Sequence, residues 1–252
     1  MIWRKQQLRW ILTLAVTFAI FSWKLFAFNT VDEQSPEAVS SLVKTPPAIV
    51  VGFVGGFVRH DALAHSEVQL ADRLRRDYPH GVDVRIFANH VGQAQKYIRQ
   101  LLDTDHNNQL SAEEKRQARI VLYGHSWGAS ETIETARALA KYGIPVLLTV
   151  QVDSVRKPGE DDRLIPVNVA EAINFYQLDG LLHGRSRILA TDPNRTTILG
   201  NFQSEYKTTQ INCDGYPWYA RLFTKPHIEI ESDPQVWNRI DTLIRSKLQP
   251  VL

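Results

Sequence analysis

The stretch Arg119-Ile120-Val121-Leu122-Tyr123-Gly124-His125-Ser126-Trp127-Gly128-Ala129 decides how this chain folds. Residues 119–123 are largely β-branched or apolar, as in a strand buried on both faces. Ala129 to Lys141 places Ile133, Ala136 and Leu139 or Ala140 on one side of a helix, which stops at Gly143 and Pro145. Strand and helix are joined only by residues 124–128, so the turn between them must be tight. A β-carbon at 124 or 128 would drive the two backbones into collision, which is why both positions are glycine. Such a turn lifts the Ser126 hydroxyl above the end of the sheet. It also sets the backbone N–H of Trp127 at a helix N-terminus, where negative charge is favoured.

The neighbouring segments extend the same pattern. Ala48 to Val54 is an apolar strand running into Gly55-Gly56, and Ser66 caps a helix carrying Val68, Leu70, Ala71 and Leu74. Val82, Val84 and Ile86 alternate as in a strand, and Val91, Ala94, Tyr97, Ile98, Leu101 and Leu102 have helical spacing. Pro145 to Val152 and Ala172 to Gln177 read as further strands. The last helix opens at Asp233-Pro234, a capping residue followed by proline at the first helical position. Strands alternating with helices predict a mostly parallel sheet with helices on both faces, and ligands of such sheets sit at the carboxyl ends of strands.

Gly124-His125-Ser126-Trp127-Gly128 is a G-x-S-x-G pentapeptide in the strand–turn–helix setting that gives the motif its meaning. With its flanks, Val121 to Ala129, it resembles the α/β-hydrolase superfamily of lipases, esterases and thioesterases, over about residues 48–248. The resemblance implies an α/β-hydrolase fold and a Ser–His–Asp hydrolase of carboxylic esters or thioesters working through an acyl-enzyme, with Ser126 as nucleophile. Trp127 would supply one oxyanion-hole amide. The second would come from the loop after the first strand, from Phe57 or Gly56. The base is expected late in the chain, and among eight histidines His227 is the only one after His183, the second choice. His125 adjoins the serine, and its side chain is expected to point away from it. His60 and His65 either line the pocket or are solvated. Two aspartates compete for the acid role. Asp153 ends the strand after the nucleophile helix and is preferred; Asp179 follows the next strand and is the alternative. A rival reading is a non-catalytic α/β-hydrolase-like protein that binds a ligand or partner at the membrane.

Asp103-Thr-Asp105-His-Asn107-Asn-Gln109-Leu-Ser111-Ala-Glu-Glu114 resembles a single EF-hand loop inserted before the nucleophile strand. Asp103, Asp105, Asn107, Ser111 and Glu114 stand at side-chain ligand positions, and Gln109 stands where a backbone carbonyl is used. The departure is Asn108 in place of the usual glycine, although asparagine tolerates a left-handed turn. The alternative is that Ser111 and Glu114 form a capping box and the Asx residues a solvated turn. No cofactor is required for the chemistry, and a calcium ion here would be structural.

Composition bounds the rest. The chain has 252 residues, 44% hydrophobic and 22% charged, with 13 Gly and 12 Pro, which excludes collagen-like and low-complexity classes. The single cysteine, Cys213, excludes an intrachain disulfide and a thiolate zinc cluster. Four of the 29 Lys and Arg residues, namely Arg4, Lys5, Arg9 and Lys24, precede residue 30 in a stretch without an acid. The remaining body is mildly acidic, which argues against a nucleic-acid partner. Behind the basic start, Trp10 to Phe28 is an apolar run broken only by Lys24, read as a signal anchor or a signal peptide over 1–29. Large aromatics at Phe26 and Phe28 disfavour cleavage. An uncleaved anchor would put the catalytic domain on the non-cytoplasmic side, and cleavage would release it as a secreted protein. Residues 30–47 read as a linker, and 48–252 as the domain. Residues 156–170 carry Arg156, Lys157, Glu160, Asp161, Asp162 and Arg163, either as a lid or as a solvated excursion. Trp127, Trp218, Tyr219 and Phe223 are either a pocket wall or core.

Overall fold

The computed structural model describes residues 45–56, 58–88 and 90–248. The chain divides into two units, Met1–Val43 and Lys44–Leu252. The expected apolar anchor, residues 10–28, lies outside the described residues. Among those described, no helix is long and apolar enough to cross a membrane.

In chain order the elements are β1 (Ala48–Val54), α1 (Ser66–Asp77), β2 (Val82–Ala88), α2 (Val91–Leu102), α3 (Ala112–Arg116), β3 (Ile120–His125), α4 (Trp127–Ala140), β4 (Val146–Val152), β5 (Leu164–Ile165), β6 (Val169–Tyr176), β7 (Leu189–Ala190), β8 (Thr197–Gln203), α5 (Trp218–Phe223), α6 (Lys225–Ser232) and α7 (Pro234–Leu248). Six strands form one sheet in the order β2-β1-β3-β4-β6-β8. Every pairing in it is parallel, so this is the α/β architecture expected.

Strand residues alternate between two cores, as a period of two requires. Val50, Val121, Tyr123 and Val150 pack with Leu70 and Leu74 of α1 and with Trp237, Ile240 and Ile244 of α7. On the other side Ile49, Val51, Ile120 and Leu122 pack with Ile98 and Leu102 of α2 and with Ile133 and Leu139 of α4. Each of these side chains is essentially removed from water. Truncating one to alanine would cost about 2–5 kcal/mol.

The chain leaves β1 for β2 on one side and returns to place β3 on the other. The carboxyl ends of β1 and β3 therefore flank a switch point, where parallel sheets open a crevice. Gly52 pairs with Tyr123 and Phe53 with Gly124, which brings Gly55-Gly56 and Ser126 side by side at that end.

Several boundaries differ from expectation. The strand predicted at Ala172–Gln177 starts at Val169, and the helix predicted from Ala129 starts at Trp127. Strand β8, the short pair β5–β7 and helices α5 and α6 carry no sequence pattern strong enough to predict them. The 156–170 segment is solvated at Arg156 and Arg163 and tied to the body at other points. Asp162 is fully buried, accepts from Ser154 Oγ and pairs with Arg185 at 3.0 Å, while Lys157 pairs with buried Glu131.

Candidate active site

Ser126 occupies the tight turn between β3 and α4. Its backbone has φ 58° and ψ −126°, a conformation L residues rarely hold unless their surroundings enforce it. The enforcement is visible. Ser126 N donates to Val152 O at 3.0 Å, and Ala129 N donates to Ser126 O at 3.1 Å. A β-carbon on Gly128 would sit 2.2 Å from Phe53 O, and one on Gly124 would sit 2.5 Å from the Gly128 carbonyl. Those contacts are backbone to backbone, so no side chain could yield. Trp127 is the first residue of α4 and carries its amide at the positive end of that helix.

The loop after β1 closes on the same serine. A β-carbon at Gly55 would lie 2.7 Å from Ser126 Cβ, and Gly56 turns with φ 57°. Phe57, the other candidate oxyanion donor, lies outside the described residues.

His227 sits in α6, which the sequence did not predict, one short helix before the capped α7. Its Nδ1 lies 2.6 Å from Asp153 Oδ2, and both side chains are buried. Asp153 leaves the end of β4 with φ 43°. Its carboxylate collects three further donors: Gln177 Nε2 at 2.8 Å, Gln177 N at 3.2 Å and Gly184 N at 2.7 Å. Gly184 must lack a side chain, since a β-carbon there would meet the Asp153 backbone at 2.3 Å. Burial alone would raise the Asp153 carboxyl, but hydrogen bonds from His227 and Gln177 and nearby imidazole charge hold it below the ordinary carboxylate value. For His227, burial and the charge of His125 lower its proton affinity more than Asp153 restores it. An imidazole so held keeps its proton on Nδ1 and its lone pair on Nε2.

The alternative acid is elsewhere. Asp179 pairs with Lys207 Nζ at 3.4 Å on the surface. His183, the second choice for the base, makes a long contact to the neighbouring Gly184 carbonyl, at 3.4 Å.

Ser126 and His227 line one cleft of about 400 Å³, together with Gly55, Gly56, His65, His125, Leu182, Tyr216, Tyr219 and Glu231. His125 does not turn to solvent; its ring packs on that of His227 with centroids 4.4 Å apart. His65 lines this cleft, whereas His60 borders a different cavity beside Phe87 and His90. Of the aromatics expected as wall or core, Tyr219 borders the cleft, while Trp218 and Phe223 are 69% and 66% exposed. Cys213 is buried against Tyr216 and Ile228, and burial pushes its thiol up, away from the reactive thiolate.

No family model matches the chain, and no curated protein matches it by sequence. Solved structures do resemble it. An arylesterase aligns at 12% identity over 81% of this chain and 78% of its own, with a TM-score of 0.47. A thermostable esterase from Pseudomonas putida aligns at 12% identity over 83% and 77%, with a TM-score of 0.43. A cutinase-like protein from Cryptococcus sp. aligns at 11% identity over 80% and 95%, also at 0.43.

In the 103–114 loop the capping box is present. Ser111 and Glu114 form the capping box of α3, with Ser111 N donating to Glu114 Oε2 at 2.9 Å. Thr104 N reaches Glu114 Oε1 at 2.7 Å, and these backbone bonds, with Ser111's first, hold the Glu114 carboxyl down at about 2. Asp103 accepts from the Asn107 and Asn108 amides, and Asp105 accepts from Asn107. Asn107 Oδ1 accepts from Gln109 N at 2.7 Å. Asn108 takes φ 63°, the left-handed turn expected where glycine is usual. The carboxylates of Asp103, Asp105 and Glu114 gather within 4.8 Å of one another.

Sequence reasoning missed Gln177, Gly184, Glu67 and Glu231. Glu231 had a weak signal, lying one helical turn after His227. Gln177 and Gly184 had none, because their role is set by where two loops cross.

Proposed function

We propose that this chain is a serine hydrolase acting on carboxylic esters or thioesters. One observation carries the reading: a buried His227–Asp153 pair, 2.6 Å apart, opens on the same cleft as a serine held in a strained strand–helix turn. Ser126 Oγ attacks the acyl carbon as its proton passes to Nε2 of His227, and Asp153 stabilises the imidazolium that forms. The amide of Trp127 and that of Gly56 or Phe57 receive the negative charge on the carbonyl oxygen. His227 returns the proton to the departing alkoxide or thiolate. Water, activated by the same imidazole, then releases the acid and restores Ser126.

The cleft's mouth favours an apolar acyl group, including that of a lipid. Tyr219 of α5 borders it, and α5 also leaves Trp218, Leu222 and Phe223 exposed. The basic, apolar N-terminus would hold this domain at a membrane on the non-cytoplasmic side, or direct its export if cleaved. A fluorophosphonate probe tests the reading. It should label the intact chain at Ser126 and leave Ser126→Ala unlabelled; an unlabelled parent chain would instead support the ligand-binding alternative.

A second, separable proposal concerns calcium. The convergence of Asp103, Asp105 and Glu114 favours a structural ion at that loop, with Asn107, Ser111 and the Gln109 carbonyl completing its oxygen set. It takes no part in the chemistry.

A further inference from the structure

Behind the cleft lies a second charged group that the hydrolytic steps do not use. His125 ends β3. Its Nδ1 lies 3.1 Å from Glu231 Oε2, and its Nε2 lies 3.1 Å from the main-chain carbonyl of His227. A carbonyl oxygen only accepts, so Nε2 must carry hydrogen. If Nδ1 were then bare, its lone pair would face a carboxylate at contact distance. Both nitrogens therefore carry hydrogen, and His125 is an imidazolium. Its ring packs on that of His227, 4.4 Å between centroids and tilted by 35°.

The surroundings balance this charge. Glu231 is 2% exposed and also binds His65 Nδ1 at the head of α1. Glu67, in the first turn of α1, is fully buried and 3.9 Å from His125 Nδ1. Burial and the Glu231 charge keep Glu67 in its neutral form. Glu231 is thus the carboxylate that balances His125. His227 itself faces Asp153 from the end of β4, His125 from β3 and Glu231 from its own helix.

We propose that His125, held in its charged form by Glu231, is a positioning residue for His227: it pins the main chain at that imidazole and sets the pH range over which the ring accepts a proton. This rests on the hydrolase reading above. A cation against the ring opposes its protonation, so the base stays available in acid. The Glu231 carboxylate has the opposite effect, and its influence on the ring ranks below that of His125.

The test is His125→Gln, which keeps a donor for the His227 carbonyl and removes the charge. With p-nitrophenyl acetate as probe, the acid limb of kcat/KM should move up by about one pH unit or more, the size expected of a unit charge at this separation. At pH 6 kcat/KM should then fall several-fold further than at pH 8.5. A folded variant whose limb has not moved overturns the proposal. Should the variant not fold, the intact parent chain decides by imidazole nitrogen resonances. One ring in contact with that of His227 must be doubly protonated at pH 8; a neutral ring there overturns the proposal. A parent chain without esterase activity removes the hydrolase reading, and with it this role for His125. An active parent with an unmoved limb removes the role alone.

Discussion

Replacing Asp153 by asparagine changes one oxygen to an amino group at the point where four donors converge. Two of them, Gly184 N and Gln177 N, face Oδ1 and can keep an acceptor. The other two, His227 Nδ1 and Gln177 Nε2, face Oδ2, where the new amide would itself donate. His227 can meet a donor only by moving its proton to Nε2, which removes the lone pair that takes the serine proton. A wrong-tautomer base lowers turnover by roughly 10³–10⁴-fold, or about 4–5 kcal/mol of barrier. Gln177 can rotate its amide to offer Oε1, which has no partner among the described residues of the parent, but it then loses its bond to Leu182 O. One such buried mismatch costs about 1–3 kcal/mol, and a domain of this size loses about 2–4 °C of Tm per kcal/mol. The assay is ester hydrolysis across pH 6–9, with thermal melting of the same samples. Asp179→Asn, which removes only the surface contact to Lys207, is the control and should retain parent turnover. An Asp153→Asn enzyme within tenfold of the parent, or a collapse of activity in Asp179→Asn, would refute the reasoning.

Gly128→Ala puts a β-carbon 2.2 Å from Phe53 O, so α4 must move off β1; thermal melting should show a loss of about 3 kcal/mol or more, and a parent-like melt would contradict it. His227 has its proton affinity lowered below the ordinary 6.5 by burial and by His125, so kcat/KM should hold its plateau to below that pH, and a midpoint above it would be contrary. The same shift implies that the unfolded chain binds this proton first as pH falls, so His227 begins to lower stability below about 6.5; pH-dependent denaturant titrations read this directly. Chelator should lower the melting midpoint if calcium occupies the 103–114 loop, while no change would leave the capping box as its only role.

The part of the fold legible in the sequence is the part where local chemistry admits few solutions. Gly124, Ser126 and Gly128 between an apolar strand and an amphipathic helix fix the turn, because only glycine fits where α4 crosses the end of β1. Helix α7 was legible from Asp233 and Pro234. Strand β8 was not, since Thr197–Gln203 has Gly200 and Asn201 at its centre and is only partly covered. Helix α5 was hidden for a related reason: it buries none of its residues, so its pattern records no core. Asp153 and Asp179 both follow strands and look alike in sequence. What separates them is the positive φ at 153 and the Gln177–Gly184 crossing, a property of two loops meeting. The His125–Glu231 pair was equally invisible, because β3 and α6 meet only in the folded chain.

The most direct measurement of the central claim is to quench the intact chain during turnover of a slowly hydrolysed ester and weigh it. The account predicts a mass increase equal to the acyl group, localised to Ser126 on digestion, absent from Ser126→Ala and strongly reduced in Asp153→Asn. Steady ester hydrolysis with the acyl group on another residue, or undiminished in Ser126→Ala, would contradict it.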